Sequence, residues 1–178
     1  PHPPPPPPLR LVDFRDLAKE CIAAEAAGRV GGRFDRVVSC EMVEAVGRKY
    51  WDDWFDCIAR SLKPGGRCAL IVPEGVLFKS TGAHRELRRL LVDSNTVEAV
   101  LSLPGGVFQP YSNVKTSVLL FKKGGRSERV LFLHADADGY KLDANHDTPI
   151  EADDLPALVE AFQGRIGHWS EWRQRDPD

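Results

Sequence analysis

The chain has 178 residues, a formal net charge of -2, 42% hydrophobic residues and 28% charged residues. These values fit one globular domain with a real core, and the slightly acidic balance excludes a global basic field that would attract nucleic acid. No apolar run approaches the roughly 20 residues that a membrane span needs, and no signal-peptide pattern opens the sequence. Four widely spaced cysteines without a CxxC pair predict reduced thiols in a cytoplasmic protein rather than zinc ligands or disulfides.

The first third of the chain predicts two strands and two helices after a polyproline start. Residues 1–8 read as an extended linker or tail. Residues 9–14, LRLVDF, predict a strand that ends at Asp13, and the alanine-rich segment after it predicts a helix that stops at Gly28. A second strand is predicted at Val37–Cys40. The next helix carries its apolar side chains on one stripe: Trp51, Trp54, Phe55, Ile58 and Leu62.

Residues 61–78, SLKPGGRCALIVPEGVLF, predict a strand with a Pro- and Gly-containing turn at each end. The Lys63-Pro64-Gly65-Gly66 stretch ends the preceding helix. Cys68 to Val72 is a short apolar run that suits a strand covered on both faces, and the Pro73-Glu74-Gly75 stretch stops it. Strands of this kind belong to parallel α/β sheets.

The second half of the chain predicts one long helix, three strands and a short final helix. The helix, STGAHRELRRLLVDSN, is expected to turn Leu87, Leu90 and Leu91 inward. The strands are VEAVLSLP, KTSVLLFKK and RVLFLHAD, the last two joined by a Gly124-Gly125 turn. An acidic loop then leads to a helix at 154–162 and a tail that contains Trp169 and Trp172.

The order of these elements predicts an α/β fold. Strands that alternate with helices favour a mostly parallel sheet covered on both faces, and the helix-free connections near the end favour an antiparallel edge pair. We divide the chain into a linker at 1–8, an α/β domain at 9–133, and an acidic loop, helix and tail at 134–178.

The LKPGG turn before a buried strand resembles class I S-adenosylmethionine-dependent methyltransferases. Residues 11–66, with LVDFRDL and FDRVVSCEMVEAVGRKYWDDWFDCIARSLKPGG, resemble cyclopropane-fatty-acyl-phospholipid synthases. Residues 61–162, with LPGGVFQPYSNVKTSVLLFKK and ADGYKLDANHDTPIEADDLPALVEAF, resemble the adenine-N6 DNA methyltransferase subunits of type I restriction-modification systems. The resemblance implies the C-terminal half of a Rossmann-like methyltransferase sheet, and its two-part character suggests a chimera joined at LKPGG.

For the cofactor, the resemblance implies half a binding site. Asp13 and Phe14 match the end of the family's third strand, where they would contact the adenine of S-adenosylmethionine, and the strand end around Ser39 would complete the pocket. A turn aspartate and a core aromatic residue explain the first two positions equally well. No glycine-rich loop for the methionine part precedes Asp13.

The lipid-directed resemblance implies one catalytic residue, Glu44. In that family a glutamate at this position helps to hold a bicarbonate base. The family's histidine in the strand after LKPGG aligns with Ile71, which neither donates nor accepts a proton, so the catalytic set is broken. A solvated glutamate at the start of a helix is the alternative for Glu44.

The DNA-directed resemblance implies adenine methylation in a complex with DNA and a specificity subunit. Adenine-N6 enzymes need an Asn/Asp-Pro-Pro-aromatic loop after the fourth strand, and this chain has Ser39-Cys40-Glu41-Met42 there. We therefore expect no methyl transfer from this chain alone. Four cations are candidates for phosphate contacts or for a solvated helix face: Lys79, Arg85, Arg88 and Arg89.

Three functional hypotheses remain at this point: a DNA-methyltransferase fragment, a lipid-directed synthase remnant, and a non-catalytic α/β module. The acidic stretch around His134 and His146 matches no metal-loop pattern, so we predict no metal site. A sheet without its first two strands would expose an apolar edge, and we therefore expect self-association.

Overall fold

A computed structural model describes residues 10–28, 33–40 and 42–167. The polyproline segment, Trp169 and Trp172 lie outside these residues. The helices are α1 (Phe14–Ala26), α2 (Met42–Val46), α3 (Trp51–Ser61), α4 (Glu74–Phe78), α5 (Gly82–Ser94) and α6 (Leu155–Gly167), with a 3-10 turn at Arg48–Tyr50. The strands are β1 (Phe34–Ser39), β2 (Leu62–Pro73), β3 (Asn95–Ser102), β4 (Thr116–Lys123), β5 (Leu131–His134), β6 (Asp138–Tyr140) and β7 (Pro149–Asp153).

Five strands form the main sheet in the order β1-β2-β4-β3-β5. β1 pairs with β2 in parallel and β3 pairs with β5 in parallel, while β4 runs antiparallel to both of its neighbours. Four of the five strands therefore point the same way, which confirms the predicted α/β class with a mostly parallel sheet. β6 and β7 form a separate antiparallel hairpin in the stretch that we predicted as an acidic loop.

The antiparallel strand lies at the centre of the sheet and not at its edge, contrary to the prediction. β4 pairs with β2 on one side and with β3 on the other, and on one of its faces Ser117, Leu119 and Phe121 are all at most 6% exposed. The Gly124-Gly125 turn does not make a hairpin with β5. Instead the chain crosses β3, where the Ser127 hydroxyl donates to the Asn95 carbonyl at 2.7 Å, and β5 then joins the outer side of β3.

The predicted strand at 9–14 is wrong over its described residues, because residues 10–13 form no strand and α1 begins at Phe14. The Asp13 carbonyl accepts hydrogen bonds from the backbone N–H groups of Asp16 and Leu17, each at 3.0 Å. The Asp13 carboxylate also accepts from the Arg15 N–H at 2.9 Å. Asp13 thus caps a helix start, a role that the apolar run before it did not reveal.

The hydrophobic core lies on one face of the sheet, under α3 and α5. The predicted stripe of α3 is confirmed, since Trp54, Ile58 and Leu62 are buried while Trp51 and Phe55 pack against the same cluster. In α5, Leu91 is buried and Leu87 is partly buried, but Leu90 is 54% exposed, so the prediction fails at that residue. α1 packs on α3, with Cys21 near the Ser61 hydroxyl.

The opposite face of the sheet is only partly covered. A groove of about 530 Å³ runs along it between the sheet and α6. Its walls include Val38 of β1, Ala69 of β2, Leu120 of β4, and Val159 and Phe162 of α6. No helix among the described residues is long and apolar enough to cross a membrane.

Candidate functional site

The carboxyl ends of β1, β2 and β3 meet at one edge of the sheet, which is where α/β proteins bind their ligands. Ser39 ends β1, Glu74 follows β2, and Ser102 ends β3. Lys115 and Thr116 return to the same edge because β4 is antiparallel and begins there. We call this region the carboxyl edge.

A polar cluster of Glu74, Lys115 and Ser102 lies at the carboxyl edge. The Glu74 N–H donates to the Lys115 carbonyl at 2.9 Å, and the Lys115 Nζ lies 3.3 Å from Glu74 Oε1. Ser102 Oγ donates to the same carboxylate oxygen at 3.5 Å. These contacts join the end of β2 to the end of β3 and to the start of β4. Sequence reasoning missed the cluster, although a glutamate directly after a buried strand was a usable signal.

The loop at 104–115 projects from this cluster. The Leu103 N–H donates to the Thr116 carbonyl at 3.1 Å and closes the base of the loop. Inside the loop, the N–H groups of Tyr111 and Ser112 both donate to the Phe108 carbonyl at 2.9 Å. Tyr111 is 92% exposed. The loop is therefore fixed at its base and internally bonded, and it presents an aromatic ring to solvent.

Asp13 and Phe14 lie at the start of α1, next to Arg15, whose guanidinium lies near the Tyr50 ring. The Arg15 guanidinium donates to both Asp13 carboxylate oxygens, at 2.9 and 2.7 Å, and holds the pKa of that carboxyl well below its usual range. The same guanidinium lies 5.6 Å from the Phe14 ring centroid and 5.7 Å from the Tyr50 ring centroid. Phe14 also packs against the core cluster. Asp13 is thus an ionised acceptor whose oxygens are already bonded.

Ser39 lies at the carboxyl end of β1, opposite Leu70 of β2. Its hydroxyl is buried and has no hydrogen-bond partner among the described residues. Within that part of the chain no hydrogen bond joins Ser39 to Asp13, so the structure does not bring the predicted cofactor residues into direct contact. Glu44 falls in α2, but its side chain is outside the described residues, and its role stays a prediction.

S-adenosylmethionine, the cofactor that the methyltransferase fold implies, fits these residues only in part. The unpartnered Ser39 hydroxyl and the Asp13 carboxylate are suitable for the polar groups of an adenosine. In the described part of the chain, α1 is the first element, and no strand with a glycine-rich loop precedes it. The residues present therefore suit one end of the cofactor and leave the methionine end without a binding loop.

Across residues 10–28, 33–40 and 42–167, no group of three or more His, Cys, Asp or Glu side chains has the geometry to hold an ion.

Comparison with known proteins matches residues 33–175 to the N-6 DNA Methylase family. The chain is 32% identical over 123 residues to the EcoEI methylase subunit of a type I restriction enzyme from Escherichia coli. That alignment covers 68% of this chain and 23% of the relative. The EcoKI methylase subunit of Escherichia coli strain K12 is 45% identical over 67 residues, which is 38% of this chain and 12% of that subunit.

A solved structure supports the same grouping. It comes from work on the complex assembly and conformational transition of the type I restriction-modification system. It is 29% identical, with a TM-score of 0.60 over 82% of this chain and 32% of its own chain. This chain therefore corresponds to less than a third of that subunit's length.

The chimera hypothesis is not supported. The family match begins at residue 33 and so includes residues 33–66, which we had related to cyclopropane synthases. A tuberculostearic acid methyltransferase of Mycobacterium tuberculosis is 34% identical over 70 residues, but the match covers only 33% of this chain and 16% of that protein.

The fold and the comparisons agree. The family match over residues 33–175 covers most of the chain, and that stretch includes all five strands of the α/β sheet. The chain belongs to the N-6 DNA methylase family and resembles part of a type I restriction-modification methylase subunit.

Proposed function

We propose that this chain forms the C-terminal half of a methyltransferase domain that transfers a methyl group from S-adenosylmethionine to adenine N6 in DNA. The observation that carries the proposal is the family match over residues 33–175, on a sheet of the corresponding mixed type. In this proposal the chain works in the cytoplasm with DNA and a specificity subunit, as part of a type I restriction-modification system.

The proposal includes no methyl transfer by this chain alone. Among the described residues the end of β1 carries Ser39 and Cys40, whose side chains offer no carbonyl or carboxylate acceptor for the adenine amino group. The methionine end of the cofactor also lacks a binding loop in the described residues. S-adenosylmethionine would supply the methyl group, and in this proposal the groups not found among the described residues belong to other parts of the methyltransferase domain.

Asp13, Phe14 and Ser39 have a limited role in this proposal. They would contact the adenosine end of the cofactor, where the ionised Asp13 carboxylate accepts hydrogen bonds and the Ser39 hydroxyl is unpartnered among the described residues. Arg15 fixes the Asp13 carboxylate in place.

The residues of the carboxyl edge would face DNA. The Glu74–Lys115 contact anchors the loop at 104–115, whose Tyr111 ring is free to stack on a base. Lys79 and Arg85 are exposed and suit phosphate contacts. We leave Arg88 out of this proposal because its Nη1 already donates to the carbonyls of Val76 and Lys79, each at 3.0 Å.

Radioactive methyl transfer tests the proposal. The chain is incubated with tritiated S-adenosylmethionine and unmethylated DNA, first alone and then with the N-terminal part of a related methylase and its specificity subunit. We expect no label in DNA from the chain alone and adenine-N6 label from the mixture, with none on fully methylated DNA. Label that reaches lipid instead of DNA, or a mixture that stays inactive while the intact related methylase is active, would contradict the proposal.

A further inference from the structure

The groove between the sheet and α6 has an apolar lining that is only partly covered. Ala69 of β2 and Leu120 of β4 line it on the side of the sheet, and Val159 and Phe162 line it on the side of α6. Val159 is nevertheless 51% exposed. The cavity of about 530 Å³ lies within the range of roughly 300–1,000 Å³ that is typical of ligand sites. A further apolar group would therefore fit against this lining.

One end of the groove is basic. Arg36 of β1 lies opposite Arg67 of β2 in the parallel register, and both arginines line the groove. Like charges that lie opposite each other on neighbouring strands are destabilising. Glu98 also lines the groove, and its Oε1 lies 3.0 Å from the Arg67 Nη2. The lining thus has two arginines and one glutamate, and a second carboxylate would offset the remaining positive charge.

The chain leaves α6 beside this groove. Gln163 lines the groove about one helical turn before α6 ends at Gly167. Residues 168–178, which we call the tryptophan segment, follow directly. Extended, these residues reach up to roughly 36 Å, and a glycine at a helix end lets the chain reverse its direction. The tryptophan segment is therefore long enough to return over the groove.

The tryptophan segment has the side chains that suit the groove. Its sequence, HWSEWRQRDPD, contains Trp169 and Trp172, and indole rings gain more than most side chains from burial against apolar surface. Glu171 stands between the two tryptophans and carries a carboxylate for the basic end. The family match extends to residue 175, so these three residues belong to the matched domain.

We propose that the tryptophan segment binds in the groove of its own chain, with Trp169 and Trp172 against the apolar lining and Glu171 at the basic end. Because the segment is tethered to α6, its binding is intramolecular and needs little intrinsic affinity. The contact covers apolar side chains of the open face and offsets the charge of the two arginines. It requires neither cofactor nor DNA and is independent of the proposed methylation.

Fluorine NMR of the full chain with fluorotryptophan at its four tryptophan positions tests the contact. Replacement of each tryptophan by phenylalanine assigns the four signals, and a soluble gadolinium chelate reports how exposed each ring is. We expect the chelate to relax the signals of Trp169 and Trp172 at least roughly threefold less in the native chain than in the chain unfolded by urea. Trp54, which is 4% exposed, is the reference for a folded core.

Two substitutions on α6 form a matched pair. Val159→Glu adds a charge to the lining of the groove, whereas Ala157→Glu adds the same charge at an exposed position outside that lining. We expect Val159→Glu to expose Trp169 and Trp172 to nearly the level of the unfolded chain, because a carboxylate is costly to bury, and Ala157→Glu to leave them protected. Glu171→Arg places a third cation beside the two arginines and should also expose both rings.

The signal of Trp54 and circular dichroism check that each variant is folded, and Glu171→Arg keeps the test valid if Val159→Glu disturbs α6. The proposal is overturned if Trp169 and Trp172 are as accessible in the native chain as in urea, or if the two α6 variants have the same effect. Unchanged protection in Glu171→Arg contradicts the contact at the basic end. Protection that disappears on dilution assigns the groove to a second copy and also overturns the proposal.

Discussion

On one face of the main sheet Leu70 and Leu119 are 0% and 3% exposed beneath the helices, whereas Val38 on the other face is 73% exposed. The difference follows from the connections between strands. α3 connects β1 to β2, and α4 and α5 connect β2 to β3, and their apolar residues join a single core cluster. The open face has α6 and a groove. Among the described residues, the covered face thus holds the core of the sheet, whereas the open face is more exposed.

The largest expected effect is the loss of unfolding free energy when Leu70, on the covered face, is truncated, compared with truncation of Val38 on the open face. Leu70→Ala removes a fully buried side chain from the second strand of the sheet and should cost about 2–5 kcal/mol of unfolding free energy. Val38→Ala, on the neighbouring strand and the open face, should change the unfolding free energy by less than about 0.5 kcal/mol. Urea unfolding followed by circular dichroism measures both. Equal losses would mean that the open face is as tightly packed as the covered one.

A smaller effect is expected from the lysine that attaches α3 to the sheet. Lys123 Nζ donates to the carbonyl of Leu62 at 2.9 Å and also to the carbonyl of Ala59, at the end of α3. Lys123→Met leaves these carbonyls without a charged donor and should cost about 1–3 kcal/mol of unfolding free energy.

The matched control is Lys122→Met, one residue earlier on β4, where the side chain is exposed. It should leave the midpoint of urea unfolding almost unchanged. If Lys123→Met and Lys122→Met have the same midpoint of urea unfolding, the hydrogen bonds from Lys123 do not help to hold α3.

The smallest expected effect is a difference in thiol reactivity between an exposed cysteine and a buried one. Burial raises the pKa of the Cys68 thiol to about 12, whereas Cys40 is exposed at the end of β1. Ellman's reagent should therefore modify Cys40 quickly in the native chain and Cys68 only after unfolding. Fast modification of Cys68 would show that the covered face opens readily.

The raised pKa also gives a dependence on pH. Between about pH 9 and about pH 12 the unfolded chain loses the Cys68 proton and the folded chain retains it, so the stability that this group contributes is lost as the pH rises. Cys68→Ala should flatten the fall in unfolding free energy over this range. An unchanged alkaline slope in that variant would assign the loss to other groups.

Periodicity predicted the burial of most apolar residues on the covered face, with Leu90 of α5 as an exception. The stripe of Trp54, Ile58 and Leu62 and the apolar run of β2 both require burial, and both are buried. Periodicity did not predict the features that depend on which strands pair in the folded chain. The position of β4 depends on which strands lie beside it, and the path after Gly125 depends on Ser127 bonding to Asn95. Neither is encoded in a local pattern.

The candidate site was harder to predict than the fold. Asp13 was assigned to the end of a strand, but it caps α1, because helix capping and strand endings both use aspartate. The Glu74–Lys115 contact joins residues about 40 positions apart, because β2 pairs with β4. No spacing pattern in the sequence predicts such a contact.

The central proposal is that this chain is one part of an adenine-N6 methyltransferase domain, and that its described residues contact only the adenosine end of the cofactor. Isothermal titration of the purified chain with S-adenosylmethionine and S-adenosylhomocysteine tests it most directly. We expect no measurable heat at micromolar ligand, because the methionine end has no binding loop in the described residues. Micromolar binding that Ser39→Val weakens would contradict the account and show that the chain contains a complete pocket.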